Sequence, residues 1–398
     1  MLESVLVLFV ILWVVLYCSV RDIFAPWSIT LMVWIAVIAG YLFIDHGLYA
    51  ATDQFTWGIL LWCLSFCVVG YITCRLTPSY KGAEWKVNIP LVKALTAIAV
   101  LLIPFALYKA VSFALMSGTD SLMYTMRTQL IEKDSGFSLG PIPYFVFAVY
   151  TILFISADAR HKLNRWFFAL CMVINFLFFF VMMSKLILFI GIFSTLYLFY
   201  VHGRVRLRTI ALIGIVFGLV GLLFTQVRAT ADADTDNTYT MMEFFGIYLI
   251  SPIVAFCAEN ANSSPVWGYE TFRPIYHILE SMGLTNVPVF DGDRFFISVP
   301  VPTNVYTMMA PLFNDFGYTG IAVCGAIEAA FVSWIYKKAV TGHTLARNMY
   351  AYLVAVLALQ FFDDQFFSGI SNMMQMAFFI FICHVKFTWK PQSTSLFT

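Results

Sequence analysis

The chain has 398 residues, 61% hydrophobic and 18% aromatic, with only 11% charged and a mean hydropathy of +0.84. Soluble globular domains do not reach these values, so a water-soluble enzyme or a nucleic-acid-binding module is excluded and a polytopic membrane protein is required. The net charge of +1 says little about partners, because it sums two opposite loop populations.

Taken in chain order, apolar runs able to cross a bilayer, or nearly so, cover residues 4–20, 27–44, 55–74, 94–115, 141–155, 166–183, 186–201, 209–227, 316–336, 349–362 and 370–385. They predict about eleven spans in an all-α fold, with residues 1–398 forming one integral membrane domain. The first run lacks a basic leader and is followed by Arg21 and Asp22, so it reads as a span and not as a cleaved signal. Threading the spans alternately places sixteen of the 23 Lys and Arg on one side, among them Arg21, Arg75, Arg204, Lys337, Lys338 and Arg347. By the positive-inside rule that side is cytoplasmic, with the N-terminus outside and the C-terminus inside.

The outer side then holds two substantial loops, 117–140 and 228–315, and most of the carboxylates. Within the second, residues 244–258 are apolar but interrupted by Pro252 and too short for an easy crossing. They predict an interfacial or re-entrant helix; if they crossed, Lys337, Lys338 and Arg347 would move outside. Seven of the eight cysteines lie in or beside apolar runs, which offers no disulfide framework and no metal-ligand spacing. Cys63 and Cys67 read as packing residues. Asp232, Asp234 and Asp236 lack the turn glycine and closing Glu of a calcium loop, and read as a solvated acidic segment.

The most informative stretch is Pro302-Thr303-Asn304-Val305-Tyr306-Thr307 followed by Asn314-Asp315-Phe316-Gly317-Tyr318-Thr319-Gly320, which runs into the ninth span. A roughly helical segment would put Asn304, Thr307, Pro311 and Asp315 on one face, kinked at Pro311. Upstream stand Trp267-Gly268-Tyr269-Glu270-Thr271-Phe272 and, before Tyr248-Leu249, Arg228.

In these segments and in its span arrangement the chain resembles the bacterial O-antigen and capsule polymerases of the Wzy type, the oligosaccharide repeat-unit polymerases. The resemblance implies a fold similar to the GT-C glycosyltransferases and a reaction at the outer face of the bacterial inner membrane. A growing glycan would move from undecaprenyl diphosphate onto the next lipid-linked repeat unit, with no cofactor and with a chain-length regulator as partner. Ser184-Lys185 departs from the pattern, where an Arg is expected after the Ser.

The residues support such chemistry on their own terms. Glycosyl transfer from a lipid diphosphate needs a base for the acceptor hydroxyl and positive charge for the leaving group. Arg127 and Arg228 fall near headgroup depth, where each is either a snorkelling arginine or, as the resemblance favours, a diphosphate ligand in place of a metal ion. Asp315 is the first choice for general base, the alternative being a helix N-cap. Thr303, Asn304 and Thr307 are placed to position sugar, with Tyr306 stacking on it.

Arg273 and His277, four apart after a Pro274 helix start, share a predicted helix face; the His either accepts a proton or is merely exposed. Asp363-Asp364 at the outer end of the tenth span either orients Arg side chains or sugar hydroxyls, or is a helix-end pair in water. Glu328, within the ninth span, is either functional or protonated and hydrogen-bonded between helices, with Gly320 and Gly325 permitting close packing. An O-antigen ligase and a lipid-linked oligosaccharide flippase are the competing readings.

Overall fold

A computed structural model describes residues 1–82, 85–116, 139–159, 162–182, 184–204, 241–290, 296–300 and 302–385. Among them six helices are long and apolar enough to cross a membrane. These are α1 (Leu2–Val20), α2 (Pro26–Phe43), α3 (Asp53–Leu76), α4 (Ile89–Met116), α6 (Arg165–Met182) and α10 (Met309–Val340). Shorter apolar helices are α5 (Val146–Asp158, entered through a 3-10 turn Ile142–Phe145), α7 (Lys185–Val201) and α12 (Ile370–Ile382). The remaining helices are α8 (Met241–Phe256), α9 (Arg273–Ser281) and α11 (Thr344–Ala358). The strands described are β1 (Ile297–Ser298) and β2 (Pro302–Thr303), paired antiparallel with Ile297 opposite Thr303. The expected span at 209–227 lies outside the described residues.

Side-chain and backbone contacts sort the helix ends into two groups. At one end the Tyr336 hydroxyl donates to Asp22 Oδ2 at 2.6 Å, the Tyr80 N–H donates to Thr341 Oγ1 at 3.0 Å and the Asn88 N–H donates to the Cys383 carbonyl at 2.7 Å. The Asp158 carboxylate, at the end of α5, is gripped by Arg347 Nε at 2.6 Å and Nη2 at 3.0 Å, and by His202 Nε2 at 2.8 Å. Arg75, Lys337 and Lys338 belong to this same end, in the last turns of α3 and α10. For Arg75, Lys337, Lys338 and Arg347 the grouping that alternate threading predicts is therefore reproduced at one end of the bundle.

At the opposite end Gln54 Nε2, opening α3, donates to the Phe256 and Glu259 carbonyls at 2.9 Å each, and the Met308 N–H donates to the Gln360 carbonyl at 3.1 Å. α8 stays near this end, because Leu249 and Ile250 pack against Gly40 in the last turn of α2 while Phe256 meets the start of α3. Cys63 and Cys67 are buried free thiols in α3, as packing residues would be.

α10 departs from a simple span. Gly317 has φ 63° and ψ −154°, and the chain reverses there into two helical limbs, 309–316 and 318–340. A Cβ placed on Gly320 would lie 2.6 Å from the Leu312 carbonyl oxygen, whereas a straight helix holds residues eight apart about 12 Å from one another. The first limb is thus folded back on the second. The break falls at Gly317 and not at Pro311, because Pro311 occupies the first turn of its limb, where no acceptor awaits its missing N–H.

A non-glycine residue is strained at the Gly317 dihedrals, and its Cβ would also sit 3.4 Å from Asn262 Nδ2. Gly317→Ala is expected to lower stability by about 1–3 kcal/mol, read as a fall in thermal midpoint in detergent; an unchanged midpoint would contradict the reversal.

Candidate functional site

The hairpin tip organises the longest described loop. Both Asp315 carboxylate oxygens accept from the Glu270 N–H at 3.2 Å, and Oδ2 also accepts from the Thr271 N–H at 2.7 Å. Next to it, Asn314 Nδ2 donates to Glu259 Oε2 at 2.6 Å and to Glu270 Oε1 at 3.0 Å. The Phe313 and Asn314 carbonyls accept from the Asn262 and Ser264 N–H groups at 3.2 and 3.1 Å. Two stretches of chain, 259–271 and 313–315, are thereby stitched together by bonds that span about 45 to 55 residues, at the point where α10 turns back. Asp315 does not cap the helix that follows it; its bonds go to the loop.

Downstream of that clamp the loop enters α9 at Arg273, with Pro274 in its first turn as the sequence predicts. At 100° per residue Arg273, His277 and Glu280 fall on one face, and Ile275, Ile278, Leu279 and Met282 on the other. His277 is exposed and Arg273 half-buried. Aromatic rings pack beside the clamp: Trp267 lies 5.1 Å from Phe316 and 5.5 Å from Phe272 between ring centroids. The Tyr276 hydroxyl donates to the Trp267 carbonyl at 2.6 Å.

The segment before the first limb behaves differently from the expectation. Residues 304–307 are not helical, so Asn304, Thr307, Pro311 and Asp315 do not share a helix face. The cause is local: Pro302 and Thr303 pair with β1, and the helix begins only at Met309. Asn304 is exposed, whereas Thr303, Tyr306 and Thr307 are buried. Thr303 Oγ1 sits 3.2 Å from Ser251 Oγ in α8 and accepts from the Val305 N–H at 3.2 Å. The Thr307 hydroxyl is buried with no hydrogen-bond partner among the described residues. Thr307 lies two residues before the first limb, and Asp315 stands six helical rises, about 9 Å, beyond its first residue Met309. The structure therefore forms two groups, Asp315 with the turn leading to Arg273 and His277, and Thr303 with Thr307 at the foot of the limb. Arg127 and Arg228 lie outside the described residues.

Beneath the hairpin, Gln360 Nε2 donates to Glu328 Oε1 at 3.3 Å, so the intramembrane carboxyl is hydrogen-bonded between α10 and the end of α11. A Cβ on Gly325 would meet Ser65 Oγ at 2.8 Å and the Trp62 ring at 3.1 Å, and a Cβ on Gly320 the Leu312 carbonyl, so both glycines serve close packing. Asp364 is buried, not a helix-end residue in water. Its carboxylate accepts from the N–H groups of Phe366 at 2.9 Å, Phe367 at 3.0 Å and Ser368 at 2.9 Å, closing the turn into α12. Burial pushes this carboxyl up from its usual range, against the opposing pull of those donors.

Glu259, Asn314 and Gln360 carry no role in the sequence pattern, and only Asn314 had a visible signal, its place beside Asp315 before a glycine. Among the described residues no group of three or more His, Cys, Asp or Glu is arranged to hold a metal ion. What fold and site define is a polytopic, mostly helical membrane protein with a clamped helical hairpin at the end opposite its basic loops. No family model, no curated protein and no solved structure matches the chain.

Proposed function

We propose that the chain is a glycan polymerase of the bacterial inner membrane, moving a growing glycan from undecaprenyl diphosphate onto the next lipid-linked oligosaccharide repeat unit at the periplasmic face. One observation carries the reading: two of the segments behind the resemblance, 267–272 and 314–320, are joined through Asp315. Residues far apart in the chain that bond directly at one end of a membrane bundle are what a shared site requires.

In this reaction the acceptor hydroxyl oxygen forms a bond to the anomeric carbon while the bond from that carbon to the diphosphate oxygen breaks. The hydroxyl proton passes to a base, and undecaprenyl diphosphate departs. Arg127 and Arg228 hold the diphosphate, with Arg273 adding charge from the first position of α9. Asp315 Oδ1 accepts a single N–H, which leaves a lone pair for the acceptor proton while the carboxylate holds the Arg273 and His277 turn in place. Thr303, Asn304 and Thr307 position sugar, and Tyr306 supplies an aromatic face.

Thr307→Val removes a hydroxyl that has no partner among the described residues, so thermal stability is expected to hold while elongation falls about 3–10-fold, the worth of one substrate hydrogen bond. Equal loss of both would make Thr307 a packing residue. Acceptor choice tests the reading against a ligase: growth on the lipid-linked repeat unit and none on a lipid A core supports polymerisation, and the reverse overturns it.

A second reading, a lipid-linked oligosaccharide transporter, draws support from the broken helix α10 above the buried Glu328 and Gln360, since discontinuous helices line the sites of secondary transporters. Leaflet-to-leaflet movement of a labelled lipid carrier by protein that never lengthens the glycan would establish it instead.

A further inference from the structure

α9 presents an apolar face that the described residues leave uncovered. None of its residues is buried. Ile275, Ile278 and Met282, one turn apart on the same side, are 46%, 59% and 65% exposed, and Leu284 beyond the helix is 66% exposed. A water-facing helix would carry polar groups there; this one confines Arg273, His277 and Glu280 to the other side.

The position of α9 identifies what covers it. The second limb of α10, from residue 318 to 340, is about 34 Å long, enough to cross a hydrocarbon core about 30 Å thick. Its far end carries Lys337 and Lys338, so Gly317 and the tip stand at the opposite membrane boundary. α9 begins two residues after Thr271, which is tied to the tip by Asp315. Trp267, 73% exposed, packs at a tilt against Phe316 at the same tip, and along the second limb Val323 and Ile327 are also half-exposed, at 51% and 52%.

We propose that α9 is an interfacial anchor lying in the plane of the leaflet at the hairpin tip. Ile275, Ile278, Leu279 and Met282 enter the acyl boundary, Trp267 sits among the headgroups, and Arg273, His277 and Glu280 face water. The occupant of the apolar face is the phospholipid of the membrane the chain spans. The consequence is positional: the anchor and the Asp315 clamp together hold Arg273 at the depth of lipid phosphate. The proposal needs only the membrane-spanning character of the bundle and stands whether or not the chain is a polymerase.

The test places a nitroxide label on Ile278→Cys, Met282→Cys or Glu280→Cys in full-length protein, each with exposed Cys18→Ser, in nanodiscs of phosphatidylethanolamine and phosphatidylglycerol; the Cys18→Ser protein alone supplies the background signal. Collision with oxygen, which concentrates in lipid, is compared with collision with a water-soluble nickel chelate. The oxygen-to-nickel ratio is expected to be severalfold higher at 278 and 282 than at 280. Equal ratios at all three, protection of 278 from both reagents, or a shift at 278 that appears only after adding an undecaprenyl diphosphate-linked oligosaccharide would each overturn the proposal, the last by assigning the face to the isoprenoid chain.

Discussion

Arg347→Ala is expected to lower the stability of the bundle by about 3–5 kcal/mol, because it strands the Asp158 carboxylate in the interior. Asp158 is 3% exposed, and Arg347 makes two of its bonds, at 2.6 and 3.0 Å. His202 Nε2 at 2.8 Å and Asn348 Nδ2 at 3.4 Å remain, but neither brings a permanent charge. The pair ties α5 to α11, with His202 carrying the tie to the end of α7. Thermal unfolding in detergent reads the loss. Asp158→Leu combined with Arg347→Met should recover a large part of it, since removing both charges removes the desolvation cost along with the attraction. A single variant as stable as the parent would mean that water reaches the carboxylate.

Asp315→Ala is the second large effect. It leaves the Glu270 and Thr271 N–H groups without their acceptor, the first half-buried and the second buried, which costs about 1–3 kcal/mol and releases the loop from the hairpin tip. Limited proteolysis should then cut between residues 259 and 273, where the parent resists. Asp315→Asn separates the two roles of this side chain. Its amide oxygen can still accept from Thr271, so most of the fold stability returns, while loss of the base is expected to cut elongation by about 10²–10⁴-fold. An Asn variant with full activity would make Asp315 a positioning residue only.

The long spans were legible because a hydrocarbon core demands continuous apolar runs: the run 27–44 and α2 agree within a residue at each end, and six of the helices described are long and apolar enough to cross. The grouping of Arg75, Lys337 and Arg347 was legible for the same reason, since charge sidedness is written directly in loop composition. The hairpin was not. The apolar pattern starts the ninth span at residue 316 and Pro311 is the conspicuous helix breaker, whereas the actual reversal rests on the dihedrals of Gly317 and on the close approach of Gly320 to the Leu312 carbonyl, which no local pattern reports. The clamp had a similar character. Asp315 was visible as a carboxylate at a span mouth, but its partners are backbone N–H groups about 45 residues earlier, and side-chain type does not reveal which backbone donors a fold will bring near. The Arg273–His277 face was legible because the sequence supplies both a proline helix start and the four-residue interval.

The most direct measurement is extension of one defined undecaprenyl diphosphate-linked oligosaccharide by purified protein in lipid vesicles, with chelator present. The expected result is a ladder of products lengthened by whole repeat units, still attached to the carrier and abolished by Arg228→Ala. Unaltered substrate after incubation with protein that keeps its thermal transition would contradict it.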